Sequence, residues 1–199
     1  MPKIKICGLK REEDVKLVNP YKPEYCGFVF WEPSKRYVTA EKGRELVNLL
    51  DPEIISVGVF LDENIDKLVD TVLTSGVAAV QLHGKEDDEY IKQVKERTGK
   101  KVIKAFKPSS DEDVRLAEKS EADMIMFDPG VGSGKTFNWD ILSGCTRDFF
   151  LAGGLDPDNA ALAVQTLKPY ALDVSSGVET EGIKDGKKIE EFINNTRNA

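Results

Sequence analysis

Few residues in this sequence have both the type and the placement to do chemistry. Cys7 follows the alternating run KIKI (3–6) and is followed at once by Gly8. Asp128 closes the apolar run DMIMFD (123–128). A thiol in that setting is either an inert buried side chain or a reactive group at the mouth of a pocket. A carboxyl at the end of an apolar run suits proton transfer, because desolvation favours its neutral, proton-donating form. Arg36, in SKRY, is the obvious cation. Two short stretches, AGGLDPDN (152–159) and SSGVET (175–180), carry glycines and free backbone N–H groups. Glycine lets the backbone approach a phosphate, and clustered N–H groups favour an anion. The sole histidine, His83, is expected to line the pocket or bond locally rather than to act as a base.

These positions need a scaffold, and the sequence supplies a periodic one. Apolar, β-rich runs occur at 3–6, 25–30, 54–60, 77–82, 101–106, 123–128, 148–152 and 171–176, with starts 22 to 29 residues apart. Helical patterns lie between them. Thr39 caps one that opens AEKGRELVNLL, and Asn64 caps a second that Gly76 closes. Segment 86–98 starts acidic, ends basic and stops at Gly99. Ser110 with Asp113 forms a capping box for the next. Residues 138–142 form a short helix, and 157–167 and 186–197 close the series. Strand and helix alternating eight times imply parallel strands with right-handed crossovers. Even spacing favours a closed (β/α)8 barrel over an open doubly wound sheet. At 199 residues the α/β chain reads as one barrel, residues 1–199, close to the lower size limit of that fold.

In such barrels the active site lies at the C-terminal ends of the strands, and a phosphate site recurs in the loops after strands seven and eight. Cys7, Arg36, Asp128 and both glycine loops fall where this rule puts them. GVGSGKT (130–136) is a decoy: the phosphate-loop pattern needs glycine at 129, which is Pro129. A net charge of −7 argues against a general nucleic-acid binder. No apolar run is long enough to span a bilayer, so no membrane partner is expected. Cys7, Cys26 and Cys145 form no disulfide framework and no paired-cysteine motif, which points to a reducing cytoplasm. A single histidine is too few for a metal-dependent epimerase of this fold.

The stretches KICGL, SKRYV, VGVF, VQLHG, GSGKTFNW, LAGGL and DVSSGVE, in this order and spacing, resemble the phosphoribosylanthranilate isomerases of tryptophan biosynthesis. The resemblance covers nearly the whole chain. It implies a (β/α)8 barrel with no metal and no organic cofactor, acting on a small phosphorylated substrate. It also implies an Amadori rearrangement of N-(5-phosphoribosyl)anthranilate to 1-(2-carboxyphenylamino)-1-deoxyribulose 5-phosphate. By the family pattern Cys7 is the general base and Asp128 the general acid. Arg36 binds the anthranilate carboxylate, and Asp173 contacts a hydroxyl. Gly153, Gly154, Ser176 and Gly177 bind the phosphate. Relatives of this kind occur as monomers, as dimers and fused to a neighbouring pathway enzyme, so a homodimer is among the expectations. The family often carries a longer loop before GSGKTF, where here only PGVG separates Asp128 from Ser133.

The rearrangement needs a carboxylic acid raised toward neutrality and a thiol lowered from its usual value. The sequence itself shows no group that lowers Cys7; a helix N-terminus or nearby N–H groups are among the means open to it. Two other readings compete. Another sugar-phosphate aldose–ketose isomerase barrel is one, although the histidine-pathway isomerase uses two aspartates where this chain has Cys7. A non-catalytic barrel that binds a phosphorylated ligand is the other, and it has no need of both Cys7 and Asp128.

Overall fold

The structure, a computed structural model, describes residues 1–128 and 139–199. Eight parallel strands close into a barrel in sequence order: β1 (Lys3–Cys7), β2 (Tyr25–Val29), β3 (Ile55–Phe60), β4 (Ala79–Leu82), β5 (Lys101–Phe106), β6 (Met124–Phe127), β7 (Phe149–Leu151) and β8 (Ala171–Val174). β8 pairs back onto β1, with Lys5 opposite Asp173, and β2 places Gly27 opposite Cys7. The expected α/β barrel is therefore the observed fold; six strands are shorter than the apolar runs suggest, β5 matches its run, and β1 extends one residue further, to Cys7.

The crossovers follow their local chemistry. Helix α1 (Glu12–Val18) opens on three acidic residues. In α2 (Ala40–Leu49) the Thr39 hydroxyl accepts from the Lys42 N–H. In α3 (Ile65–Ser75) Asn64 caps the first turn and Gly76, at φ 72°, closes the last. The α4 helix (Asp88–Thr98) ends on Gly99 in the same left-handed conformation, and α5 (Asp111–Glu118) carries the Ser110–Asp113 capping box. The sixth crossover contains a 3₁₀ turn, Trp139–Leu142, rather than an α-helix. Asn138 and the GVGSGKT stretch lie outside the described residues. α6 (Ala160–Leu167) and α7 (Gly186–Arg197) complete the ring. Between β8 and α7 the chain makes an unexpected hairpin, β9 (Glu179–Thr180) and β10 (Ile183–Lys184).

Side chains alternate across each strand, and the alternation builds two cores. Ile4, Ile6, Phe28, Leu82, Phe127 and Leu172 pack outward under the helices. Tyr25, Val57, Ala79, Ile103, Met126 and Phe150 fill the lumen. Burial of this much apolar surface is the main favourable term in folding. The lumen layer also holds a lysine: Lys5 is fully buried.

Candidate active site

β1 runs inward-facing residues at positions 5 and 7, so Lys5 and Cys7 sit on one face, one above the other. Cys7 ends the strand at the rim with 8% of its surface exposed. The chain then turns at Gly8, whose φ of 82° is in the left-handed region. A Cβ on Gly8 would stand 2.3 Å from Arg36 Cδ, so glycine is also what lets Arg36 lie across the strand end. The Ser175 hydroxyl donates to the Cys7 carbonyl at 3.0 Å, tying β1 to the loop after β8.

Cys7, Arg36, Gln81, His83, Asp128, Asp173 and the loops at Gly153–Gly154 and Ser175–Ser176 line one cavity of about 300 Å³ at the C-terminal rim. Trp31, itself exposed, also lines it. Gly177 does not line it. A Cβ there would fall 1.9 Å from the Leu155 carbonyl oxygen, so Gly177 lets the two glycine loops pack against each other. Gly153 and Gly154 adopt φ values of 83° and 67°, and the space above Gly154 is open.

Four residues to which the sequence reading gave no role complete the site. Glu179, on β9, takes Arg36 in a two-point grip, Nε to Oε1 at 2.7 Å and Nη2 to Oε2 at 2.6 Å. Lys184, on β10, donates to the same Glu179 at 2.7 Å and to the Ser175 carbonyl at 2.9 Å. Although burial opposes it, donation from Arg36 and Lys184 brings the Glu179 carboxyl down to about 2. Gln81 donates Nε2 to His83 Nδ1 at 2.9 Å. An amide nitrogen only donates, so Nδ1 accepts and the ring proton is on Nε2. That nitrogen faces Asp128 Oδ2 at 3.2 Å. Buried Gln81 Oε1 has no hydrogen-bond partner among the described residues. His83 thus lines the pocket and bonds locally, as expected.

The fourth is Lys5. Its ammonium donates to both Asp173 oxygens, at 2.9 and 3.0 Å. Asp173 is therefore not a lone hydroxyl contact, although each oxygen keeps lone-pair capacity toward the cavity it lines. Around Cys7 the expected lowering does not prevail. Burial pushes the thiol up, the Lys5 cation opposes it, the Asp173 carboxylate adds to the rise, and Lys184 is a smaller opposing charge. A charged lysine, not a helix terminus, is what works against desolvation here. Asp128 is not sealed among apolar groups, since its side chain is 20% exposed beside His83.

Among the described residues, no cluster of His, Cys, Asp and Glu could hold a metal ion, and no helix is long and apolar enough to cross a membrane.

The fold and this rim define a (β/α)8-barrel enzyme with its titratable groups at the C-terminal strand ends. The family model for N-(5′-phosphoribosyl)anthranilate (PRA) isomerase matches residues 4–195. A curated relative from Endomicrobium trichonymphae, N-(5′-phosphoribosyl)anthranilate isomerase, is 48% identical over 198 residues, covering 97% of each chain. The crystal structure of phosphoribosyl anthranilate isomerase from Thermotoga maritima superposes with a TM-score of 0.91 at 37% identity, covering 100% of both chains. A further isomerase structure, in complex with reduced 1-(o-carboxyphenylamino)-1-deoxyribulose 5-phosphate, gives 0.89 at 35% identity with the same coverage. The chain belongs to the N-(5′-phosphoribosyl)anthranilate isomerase family. It is an isomerase of tryptophan biosynthesis.

Proposed function

We propose that the isomerisation runs by acid–base catalysis between Asp128 and Cys7, on N-(5-phosphoribosyl)anthranilate. The observation that carries this is one rim cavity lined together by a thiol, a carboxyl, an arginine and two glycine-bearing loops. Asp128, as the carboxylic acid, protonates the furanose ring oxygen as its bond to C1′ breaks. The anthranilate nitrogen supplies the lone pair that makes the C1′=N iminium. That cation acidifies the C2′ hydrogen, which the Cys7 thiolate removes. The released electron pair forms C1′=C2′ and neutralises the nitrogen. Loss of the O2′ proton and gain of one at C1′ give the ketone, so the atoms balance. No metal or organic cofactor enters this scheme.

Arg36 spends Nε and one Nη2 bond on Glu179. Its Nη1 edge is left for the anthranilate carboxylate, a charge-assisted contact. Asp173 accepts a sugar hydroxyl while still holding Lys5. The backbone N–H groups around Gly153, Gly154 and Ser176 take the phosphate, with Gly177 keeping the two loops together. A reducing cytoplasm suits a chain whose three cysteines are all free.

Turnover is followed by the loss of phosphoribosylanthranilate fluorescence, with and without chelator. The expected result is chelator-insensitive turnover that Cys7→Ala and Asp128→Ala abolish while circular dichroism stays native. Near-normal turnover by either folded variant overturns the assignment. Chelator-sensitive turnover returns the chain to a metal-dependent class.

A further inference from the structure

A fully buried lysine is rare unless it is paired, and a buried ion pair is weak evidence for stability because desolvation offsets much of the attraction. Lumen layers of these barrels are dominated by branched apolar side chains. Lys5 takes such a position, with Asp173 opposite it on β8. Packing alone does not call for a charge there.

Its neighbours give it a use. Gly27 stands opposite Cys7 on β2. A Cβ on Gly27 would lie 2.6 Å from Cys7 Sγ and 3.2 Å from Lys5 Nζ. Thiol and ammonium therefore flank one small gap that glycine keeps open. The Lys5 ammonium donates to both Asp173 oxygens, and although burial opposes it, chiefly that carboxylate, with Cys7 beside it, holds the lysine above its ordinary value. The lysine thus stays charged beside the thiol.

We propose that Lys5 is a positioning residue for Cys7: its ammonium, anchored by Asp173 across the β1–β8 seam, lies beneath the thiol and holds the thiolate at the rim. The charged and titratable groups facing Cys7 are Lys5 on its own strand and Cys26 on β2. Arg36 faces it from beyond β2, Asp173 from β8 and Lys184 from β10. Arg36 and Lys184 are both committed to Glu179, whereas Lys5 is tied to Asp173 directly below the sulfur. Its consequence for rate rests on Cys7 being the base, but the effect on the thiol does not.

The test reads the thiol directly. Wild type, Lys5→Met, Lys5→Arg and Lys5→Met/Asp173→Asn are alkylated with iodoacetamide across pH 6–11, and Cys7 is quantified by peptide mass spectrometry. The double variant guards against misfolding from an unpaired buried Asp173. The expected result is a Cys7 midpoint at least about one pH unit higher in Lys5→Met, a tenfold loss of thiolate at a fixed lower pH, and a smaller rise in the double variant, where loss of the Asp173 anion partly offsets loss of the cation. Lys5→Arg restores part of it. In Lys5→Met kcat falls at least about tenfold at neutral pH with KM little changed, and the loss shrinks as pH rises. An unmoved midpoint in folded Lys5→Met, or a double variant whose midpoint is no higher than that of an Asp173→Asn single variant alkylated alongside it, overturns the proposal. A shifted midpoint combined with an active Cys7→Ala enzyme keeps the Lys5 coupling and overturns the base assignment instead.

Discussion

The two sides of the cavity solve opposite problems. On the β1–β8 side, Cys7 is buried and the groups around it are charged: Lys5, Asp173, Arg36, Glu179 and Lys184. On the β4–β6 side, Asp128 is partly exposed and faces a histidine held by an amide. A buried thiol becomes an anion at a desolvation cost, so it needs a fixed cation close by. A carboxyl that must give up and regain a proton benefits from some contact with water and from an orienting partner. Two titratable groups placed in unlike environments are the pattern by which one site carries both an acid and a base.

The largest test of this contrast removes the titrating groups one at a time. Cys7→Ala and Asp128→Asn should each lower kcat by roughly a thousandfold, within the usual range for a general acid or base. They should also act on opposite limbs of the pH–rate profile. Burial raises Cys7, and a base works only when deprotonated, so wild-type kcat/KM should climb as pH rises above neutrality. Asp128→Asn should leave that limb in place, and loss of the same limb in both variants would collapse the distinction.

The charged side should also show itself in stability. With Glu179 held at about 2 when folded and near 4.3 when unfolded, its folded value is the lower one. The contribution is therefore complete above about pH 4.3 and disappears as pH falls toward 2. It should amount to roughly 3 kcal/mol. Denaturant melts of wild type and Glu179→Gln should diverge at pH 7 and converge near pH 2. Parallel curves at every pH would remove Glu179 from the charged network.

Arg36→Ala should raise KM by about 10- to 100-fold, the scale of a charge-assisted hydrogen bond. A substrate analogue lacking the anthranilate carboxylate should lose far less, and equal losses on the two would detach Arg36 from that group. The smallest effect is expected at His83, because it orients the acid and does not replace it. His83→Asn should cost about tenfold in kcat and alter the limb that Asp128 controls, as measured by pH-dependent steady-state kinetics. A change confined to the Cys7 limb would place His83 on the wrong side of the comparison.

Much of this was readable in one dimension. Cys7 and Asp128 end apolar runs, and in a parallel barrel strand ends mark the active rim. The residues that escaped were in plain view. Lys5 lies within KICGL, Glu179 ends DVSSGVE, and Gln81 lies within VQLHG. A two-residue spacing on a strand puts Lys5 with Cys7, and Gln81 with His83, on common faces. That was the available signal, but a lysine between isoleucines reads first as a solvated edge residue. Lys184 had no such signal, since its hairpin appears only as a short polar stretch between β8 and α7.

By itself the sequence determined the periodic α/β repeat, the helix caps and the strand ends that carry the thiol and the carboxyl. These depend on local propensity and near-neighbour spacing, which a chain carries wherever it goes. Only closure of the barrel decided what surrounds them. It set Asp173 beside Lys5 and Glu179 against Arg36, 168 and 143 residues away in sequence. The charge on Lys5 and the protonation of Cys7 depend on desolvation and on partners brought from the far end of the chain. Those are properties of the folded interior, and no local stretch encodes them.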